Sequence, residues 1–369
     1  MHLTSPIPSE PGRRKVVRVR EGGLVSRYLS LRGASRARAC VATAVGLAAL
    51  GVVFGTGPTS PAYADDEARI ICRWTDPRLD EVSGIALSGV HRRIAWVHND
   101  SGGGPYLYAL DTTTCVVRAR IRISNIGARD IEGMAAGLDA RGRHVLWVGD
   151  VGDNRDSWPS VRIHAVAEPL VLRDQSLPAA TYRFTYRDGP FNAETVLALP
   201  ARPRLWVVTK QLAQGGIYPL PDPLSARGVS KLVRAGATQG LVTDGAMSPT
   251  GTRYVLRDYL WAYVFDGRPP GRQVARITLP TQPQGEAITW AADGRGLLTA
   301  GERDNALWYV PLPGELQPAD AGSASSSDSS PVATNSAESP TGPSSVLVVL
   351  LTGAAAVILV GLATRWLRR

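Results

Sequence analysis

Five segments of this chain repeat one pattern built around an acid. EVSGIALSG from Glu81, DIEGMAAG from Asp130, NAETVLALP from Asn192, TDGAMSPTG from Thr243 and QGEAITWAADG from Gln284 align on their small apolar cores. The alignment makes a column of Ser83, Glu132, Glu194, Asp244 and Glu286, with Glu81, Asp130, Asn192, Val242 and Gln284 two residues earlier. On an extended strand, positions i and i−2 share a face. If the five strands face one axis, several carboxylates meet there, and they repel unless a cation or protons neutralise them. Oxygen donors without His or Cys favour hard cations, Ca²⁺ above all. The expected metal set is Glu132, Glu194, Asp244, Glu286, Asp130 and Glu81. Two other readings stay open: a ring of hydrogen bonds to backbone amides and arginines, or a pocket for a cationic or sugar-like ligand.

A second cluster lies where the following strands end. It holds His98-Asn99-Asp100-Ser101-Gly102 and the run GDVGDN, with Asp150, Asp153 and Asn154. The acids and glycines of GDVGDN suit a cation-binding loop, and equally a tight turn capped by Asp and Asn side chains. Lys210, Arg257 and Arg303 stand in the same row. Cations beside carboxylates suit a metal-bridged phosphate, and also plain salt bridges. Other chemistries find no footing: the chain has no G-x-S-x-G elbow, no H-E-x-x-H and no P-loop. Of the histidines, only His98 lies beside acids at a strand end.

Positioning these groups requires a repeated strand unit. Each acid-bearing segment is followed by a turn and an apolar strand: RRIAWVHND, RHVLWVGD, PRLWVVTK, TRYVLRD and RGLLTAGE. A third strand follows: PYLYALD, VRIHAVAE, GGIYPLP, LWAYVFD and ALWYVPL. Four units then show a fourth strand: CVVRARIRI, ATYRFTYR, SKLVRAG and RQVARITL. The fifth has none, but ARIICRWT at 68–75 is spare. A ring that borrows a terminal strand to complete its last blade removes its open edges. The expected fold is all-β, a β-propeller of about five four-stranded blades (six possible), closed by the N-terminal strand. A β-sandwich is the alternative. Closure would bring Cys72, on the borrowed strand, beside Cys115 on the outer strand of the first blade, and the pair reads as a disulfide, with two separate buried thiols as the alternative.

The ends of the chain predict export and anchoring. The uncharged run CVATAVGLAALGVVFGT at 40–56 follows nine basic residues and precedes Ala62-x-Ala64, a secretory signal spanning 1–64. An uncleaved anchor is the alternative. VLVVLLTGAAAVILVGLAT at 346–364 is long enough for a transmembrane helix, and the arginines in 365–369 mark a cytoplasmic tail. Wall sorting would need an LPxTG motif, and ESPTG at 338–342 matches only its end. Between them, 65–316 is the ectodomain and the Ser/Pro/Ala-rich 317–345 a stalk. The net charge of +9 comes from the ends: nine basic and two acidic residues precede position 65, and three arginines follow position 364. The ectodomain is therefore almost neutral, which argues against nucleic acid as a partner. The expectation is a single-pass cell-membrane protein, its large domain extracytoplasmic, meeting an extracellular ligand or protein.

At SG(I/L)A, D-x-E-G-M-A, GDxGDN, NAE, TDGAMSP and QGEA, over most of 70–312, the chain resembles the phytase-like β-propellers, including the domain described as having esterase-like activity of phytase. The resemblance implies a propeller with an acidic channel and, in the alkaline phytases, several Ca²⁺ ions that bridge substrate phosphate. Those phytases have six blades, against the five units counted here. Two functions follow. The first is a tethered binding or scaffold module with a divalent cation in the channel. The alternative is a Ca²⁺-dependent phosphoesterase in which Lys210 and Arg257 steady phosphate while a metal-activated water attacks.

Overall fold

Both faces of the second strand in each repeat are apolar, and the architecture explains why. The structure, a computed structural model, describes residues 67–318 except Ser101. The expected signal sequence with Cys40, most of the expected stalk, the expected membrane span and the expected tail lie outside the described residues. Among the described residues no helix is long and apolar enough to cross a membrane.

The chain opens with β1 (Arg69–Arg73) and then lays down blade one as β2 (Val82–Leu87), β3 (Ile94–Asn99), β4 (Tyr106–Asp111) and β5 (Val117–Ile123). Blade two holds β6 (Ile131–Leu138), β7 (His144–Asp150), β8 (Val161–Ala167) and, after the short β9 (Gln175–Leu177), β10 (Ala179–Tyr186). Blade three is β11 (Ala193–Ala198), β12 (Leu205–Thr209), β13 (Gln214–Pro219) and, after β14 (Ser230–Leu232), β15 (Gly236–Gln239). Blade four is β16 (Asp244–Met247), β17 (Arg253–Arg257), β18 (Trp261–Asp266) and β19 (Arg272–Thr278). β20 (Gln284–Trp290), β21 (Gly296–Glu302) and β22 (Ala306–Pro311) form blade five, and β1 pairs antiparallel with β22 to complete it.

The innermost strands touch in the closed order β2, β6, β11, β16, β20 and back to β2. Five sheets in a ring make a five-bladed β-propeller, and the expected closure by the N-terminal strand is present. Five hydrophobic clusters fill the five gaps between blades. Alternation along each second strand feeds two gaps at once. Val145 and Trp147 of β7 pack toward blade three, whereas Leu146 and Val148 pack toward blade one. Such a strand is buried on both faces and reads as a continuous apolar run. Each fully buried Val or Leu contributes about 1.5–3 kcal/mol.

Two strands depart from the expected register. SKLVRAG was expected to be the outer strand of blade three, but Ser230–Leu232 leaves that blade and pairs in parallel with β10 of blade two. Leu232 drives the exchange by burying itself in the gap between blades two and three. The outer strand of blade three is instead Gly236–Gln239, paired with β13. β9 likewise adds in parallel to β5, so blades one and two have five strands.

Cys72 and Cys115 form a disulfide with Cα atoms 5.6 Å apart. Cys72 is on the borrowed strand as expected. Cys115 lies in the turn before β5 rather than on the strand, with φ 57°.

Candidate functional site

The acidic column is set apart by the pairing of the innermost strands. In four blades the ladder skips one residue, and the skipped residue is the column position: Ser83, Glu132, Glu194 and Glu286. A β-bulge leaves its extra residue out of the ladder and re-aims its side chain. Asp244 has no bulge and pairs in register with Arg257. The repeat visible in the sequence is therefore a repeat of bulges in four blades, with blade four the exception.

Glu132, Glu194 and Glu286 converge. All three are 2% exposed. Burial, with the charges of Glu194, Asp130 and Glu286, raises Glu132 well above the usual carboxyl range. Burial raises Glu194 to about 7 despite Lys210, with Glu286 adding to the shift. The acids are nonetheless partnered differently. Glu194 accepts hydrogen bonds from Lys210 Nζ at 2.7 Å on both oxygens and from Asn192 Nδ2 at 3.3 Å. Burial opposes the Lys210 charge, but Glu194 and Glu286 outweigh it and hold the ammonium well above its usual range. Tyr259 closes over this ammonium, its ring centroid 5.2 Å away.

Asp244 turns to the wall. Its Oδ2 accepts the Ile288 amide at 2.8 Å, tying blade four to blade five, and burial raises its carboxyl well above the usual range. Glu286 Oε1 accepts from Gln284 Nε2 at 2.6 Å. Glu286 also faces Glu302, a residue that sequence reasoning missed. Burial and the neighbouring Glu286 push Glu302 up to about 9. Its signal was only an acid at the end of the second strand, outside the column.

Asp100 and Asp130 form a second group that shares Glu132 with the first. One oxygen of each lies within 4.8 Å of the others, and all three residues are buried. Ser83 Oγ donates to Glu132 Oε2 at 3.2 Å, while Glu132 Oε1 is buried with no hydrogen-bond partner. Asp100 was legible as part of the second cluster but not as a companion of Asp130. Its amide donates to Glu81 O at 2.9 Å, which holds the loop over the channel. The Glu81 side chain is only partly buried.

GDVGDN builds the support for this group. Asp150, fully buried, accepts the amides of Arg129 and Asp130 and the Nε of Arg129. Burial would raise Asp150, but contacts with His164, the Asp130 amide and Arg129 hold it below the usual range. Asp153 accepts the amides of Ser157 and Trp158 at 2.9 and 2.7 Å, a loop-capping role. Asn154 Nδ2 donates to Asp130 Oδ2 at 3.4 Å. A Cβ at Gly152 would lie 2.5 Å from the Asp130 carboxyl, so glycine is what lets that acid approach.

The cations of the same row are dispersed. Arg257 is fully buried in the wall, where its guanidinium donates to Asp258 O, Gln282 Oε1, Ala287 O, Thr299 Oγ1 and Ala300 O. Burial lowers it to about 10. Gly285 makes its room, since a Cβ there would stand 2.1 Å from Nη2. Arg303 is exposed at the β21–β22 turn. His98 is buried and neutral, lowered to about 4 by burial, with Nδ1 donating to Asn99 O at 3.0 Å.

The raised carboxyl of Glu302 fixes a pH dependence. An unfolded glutamate ionises near 4.5, while the folded Glu302 keeps its proton to about 9. The unfolded state therefore binds fewer protons across that window, and stability falls as pH rises. Urea midpoints from pH 5 to 9 are expected to decline, and Glu302→Gln to flatten the decline. An equal slope in the variant would remove Glu302 as its source.

Fold and site together define a five-bladed propeller with buried acids gathered on its innermost strands. No family model matches the chain, and no curated protein matches it. Solved structures do. The β-propeller domain of Myceliophteria thermophila Cps50 (Swd1) aligns at 11% identity over 66% of this chain and 100% of that one, with TM-score 0.37. A chain of the mitotic checkpoint complex aligns at 14% identity, covering 63% of this chain and 64% of its own length, TM-score 0.34. The Dos1 propeller aligns at 13% over 60% and 55%, TM-score 0.33. The chain thus spans less than two thirds of the latter two. At such scores the assignment of fold rests on the sheet pairing itself.

Proposed function

We propose that this protein is a binding module whose channel holds a divalent cation on Asp100, Asp130 and Glu132. The observation that carries the reading is the Glu132 Oε1 atom, buried without a hydrogen-bond partner beside two further buried acids. A buried carboxyl oxygen left without a partner is costly, and a cation accounts for three acids packed so closely. An all-oxygen set suits Ca²⁺. The phytase-like resemblance of the sequence supports the same ion. Of the six acids expected as ligands, Glu194 is engaged by Lys210 and Asp244 by a backbone amide, so the proposed set keeps Asp130 and Glu132 and gains Asp100.

Binding is favoured over phosphoester hydrolysis because the two cations proposed to steady phosphate are already engaged. Lys210 donates to both oxygens of Glu194, and Arg257 donates to five acceptors inside the wall. In this reading the module is presented outside the cell on the stalk and membrane span that the sequence predicts, to an extracellular ligand or protein.

Calcium at 100 times its Kd is expected to add about 2.7 kcal/mol to stability, seen as a rise in Tm that a chelator reverses. Glu132→Gln should abolish that rise while leaving the chelated protein as stable or more so, because it relieves a crowded acid. A calcium response unchanged in Glu132→Gln would sink the proposed site. Turnover of a phosphomonoester by the calcium-loaded chain would replace binding with hydrolysis.

A further inference from the structure

Away from the innermost strands, a cavity of about 410 Å³ opens against the outer strands of blade two. Its volume falls in the range of small-molecule sites, roughly 300–1,000 Å³. Trp158, Phe184, Tyr186 and Phe191 supply aromatic wall, and Arg187 and Lys231 line it as well. The Tyr186 ring packs at 5.5 Å from Phe191 and 4.8 Å from Tyr218. Tyr186 is only 7% exposed, and its hydroxyl is buried with no hydrogen-bond partner. Trp158 is unusually open for an indole, at 42% exposed, with the Arg129 guanidinium 4.6 Å over its ring.

The wall exists because of the strand that deserts blade three. β14 joins β10 in parallel and sets Lys231 beside Thr185. That register puts Lys231 on the same sheet face as Thr185, and both residues line the cavity. Arg187 and Lys231 are both exposed, and no ion pair occupies either among the described residues. The acid in the lining, Asp153, is taken by the amides of Ser157 and Trp158. Asp188, next to Arg187, accepts the Tyr218 hydroxyl at 2.9 Å.

We infer that this cavity binds a saccharide carrying an acidic group. A sugar ring has an apolar C–H face for the aromatic wall and hydroxyls for the orphan phenol of Tyr186. A wholly apolar ligand would leave that phenol unpaired at a cost. The acidic substituent answers the two exposed cations of the lining, Arg187 and Lys231. The site is separate from the channel and does not depend on the cation proposed there.

The test is a ligand-observed saturation-transfer NMR titration of the full chain in chelator. The probes are a glucuronate-containing disaccharide, its glucose-containing neutral counterpart, inorganic phosphate, and a short peptide with a free carboxyl terminus. The acidic disaccharide is expected to saturate and to bind about tenfold tighter than the neutral one, the scale of one charge-assisted hydrogen bond. Tyr186→Phe, and Arg187→Gln with Lys231→Gln, should each weaken it about tenfold without lowering Tm. Equal affinity for the neutral sugar, displacement by phosphate at equal concentration, tighter binding of the peptide, or absence of saturation would each overturn the inference. So would an unchanged affinity in both variants.

Discussion

Replacing Cys72 and Cys115 together by serine is expected to lower stability by about 4 kcal/mol, the loop-closure value for a crosslink of this span. The bridge links residues 43 positions apart and joins the borrowed strand of blade five to blade one. Without it, β1 is held to the ring by pairing with β22 over five residues, a ladder interrupted by a register shift between Ile70 and Cys72. The same substitution takes both side chains from the hydrophobic gap between blades five and one, where Cys115 is 3% exposed. For a folded part of this size, 4 kcal/mol corresponds to a fall in Tm on the order of 10 °C. Reduction of the native chain should reproduce it, and amide exchange should quicken first in β1 and β22. A fall of under about 2 °C, or exchange that quickens evenly across all blades, would mean that pairing alone closes the ring.

The ring itself was legible because its signal is redundant. Five acid-bearing segments, each trailed by an apolar strand, leave few ways to bury so many two-faced strands other than between neighbouring blades. The spare strand at 68–75 and the missing one after Pro311 pointed to each other, and the ladder Arg69↔Tyr309 to Arg73↔Ala306 is their meeting. What could not be read was the fate of SKLVRAG. Its alternation fits an outer strand of either blade. The choice is made by Leu232, which gains a fully buried place between blades two and three that no local pattern announces.

The site was legible as a set of residues but not as a geometry. Alignment gave the column, while the period of two suggested that each acid and the residue two before it would share one face evenly. Bulges at Ser83, Glu132, Glu194 and Glu286 break that period where it matters. A bulge depends on the partner strand, so its place is not written in either strand alone. Asp100 joins Asp130 and Glu132 through the loop after β3, and Lys210 reaches Glu194 from the end of β12. Both contacts are set by the closing of neighbouring turns over the channel, beyond the reach of sequence spacing.

Lys210→Met should be among the most damaging single changes in the channel, costing about 3–5 kcal/mol at neutral pH. That is the range for stripping one partner from a buried ion pair. The native pair is well enclosed, with side chains 13% and 3% exposed, and Lys210 Nζ sits 2.7 Å from both Glu194 oxygens. Removing the ammonium leaves Glu194 among Glu132 and Glu286 with the Asn192 amide as its remaining side-chain donor among the described residues. Glu194, already raised to about 7 by burial, then loses the one charge that opposes the shift, and its folded pKa rises further. A carboxyl whose folded pKa is raised is most favourable below its unfolded value, and stability is lost as pH climbs toward the folded one. The variant should therefore lie close to the native chain at pH 5 and fall progressively below it by pH 8 in urea titrations. Lys210→Met combined with Glu194→Gln should recover most of the loss, since the uncharged amide needs no counter-ion. If the double variant remains as unstable as the single one, the deficit comes from packing against Tyr259 rather than from charge, and the pair is not what keeps the channel acids together.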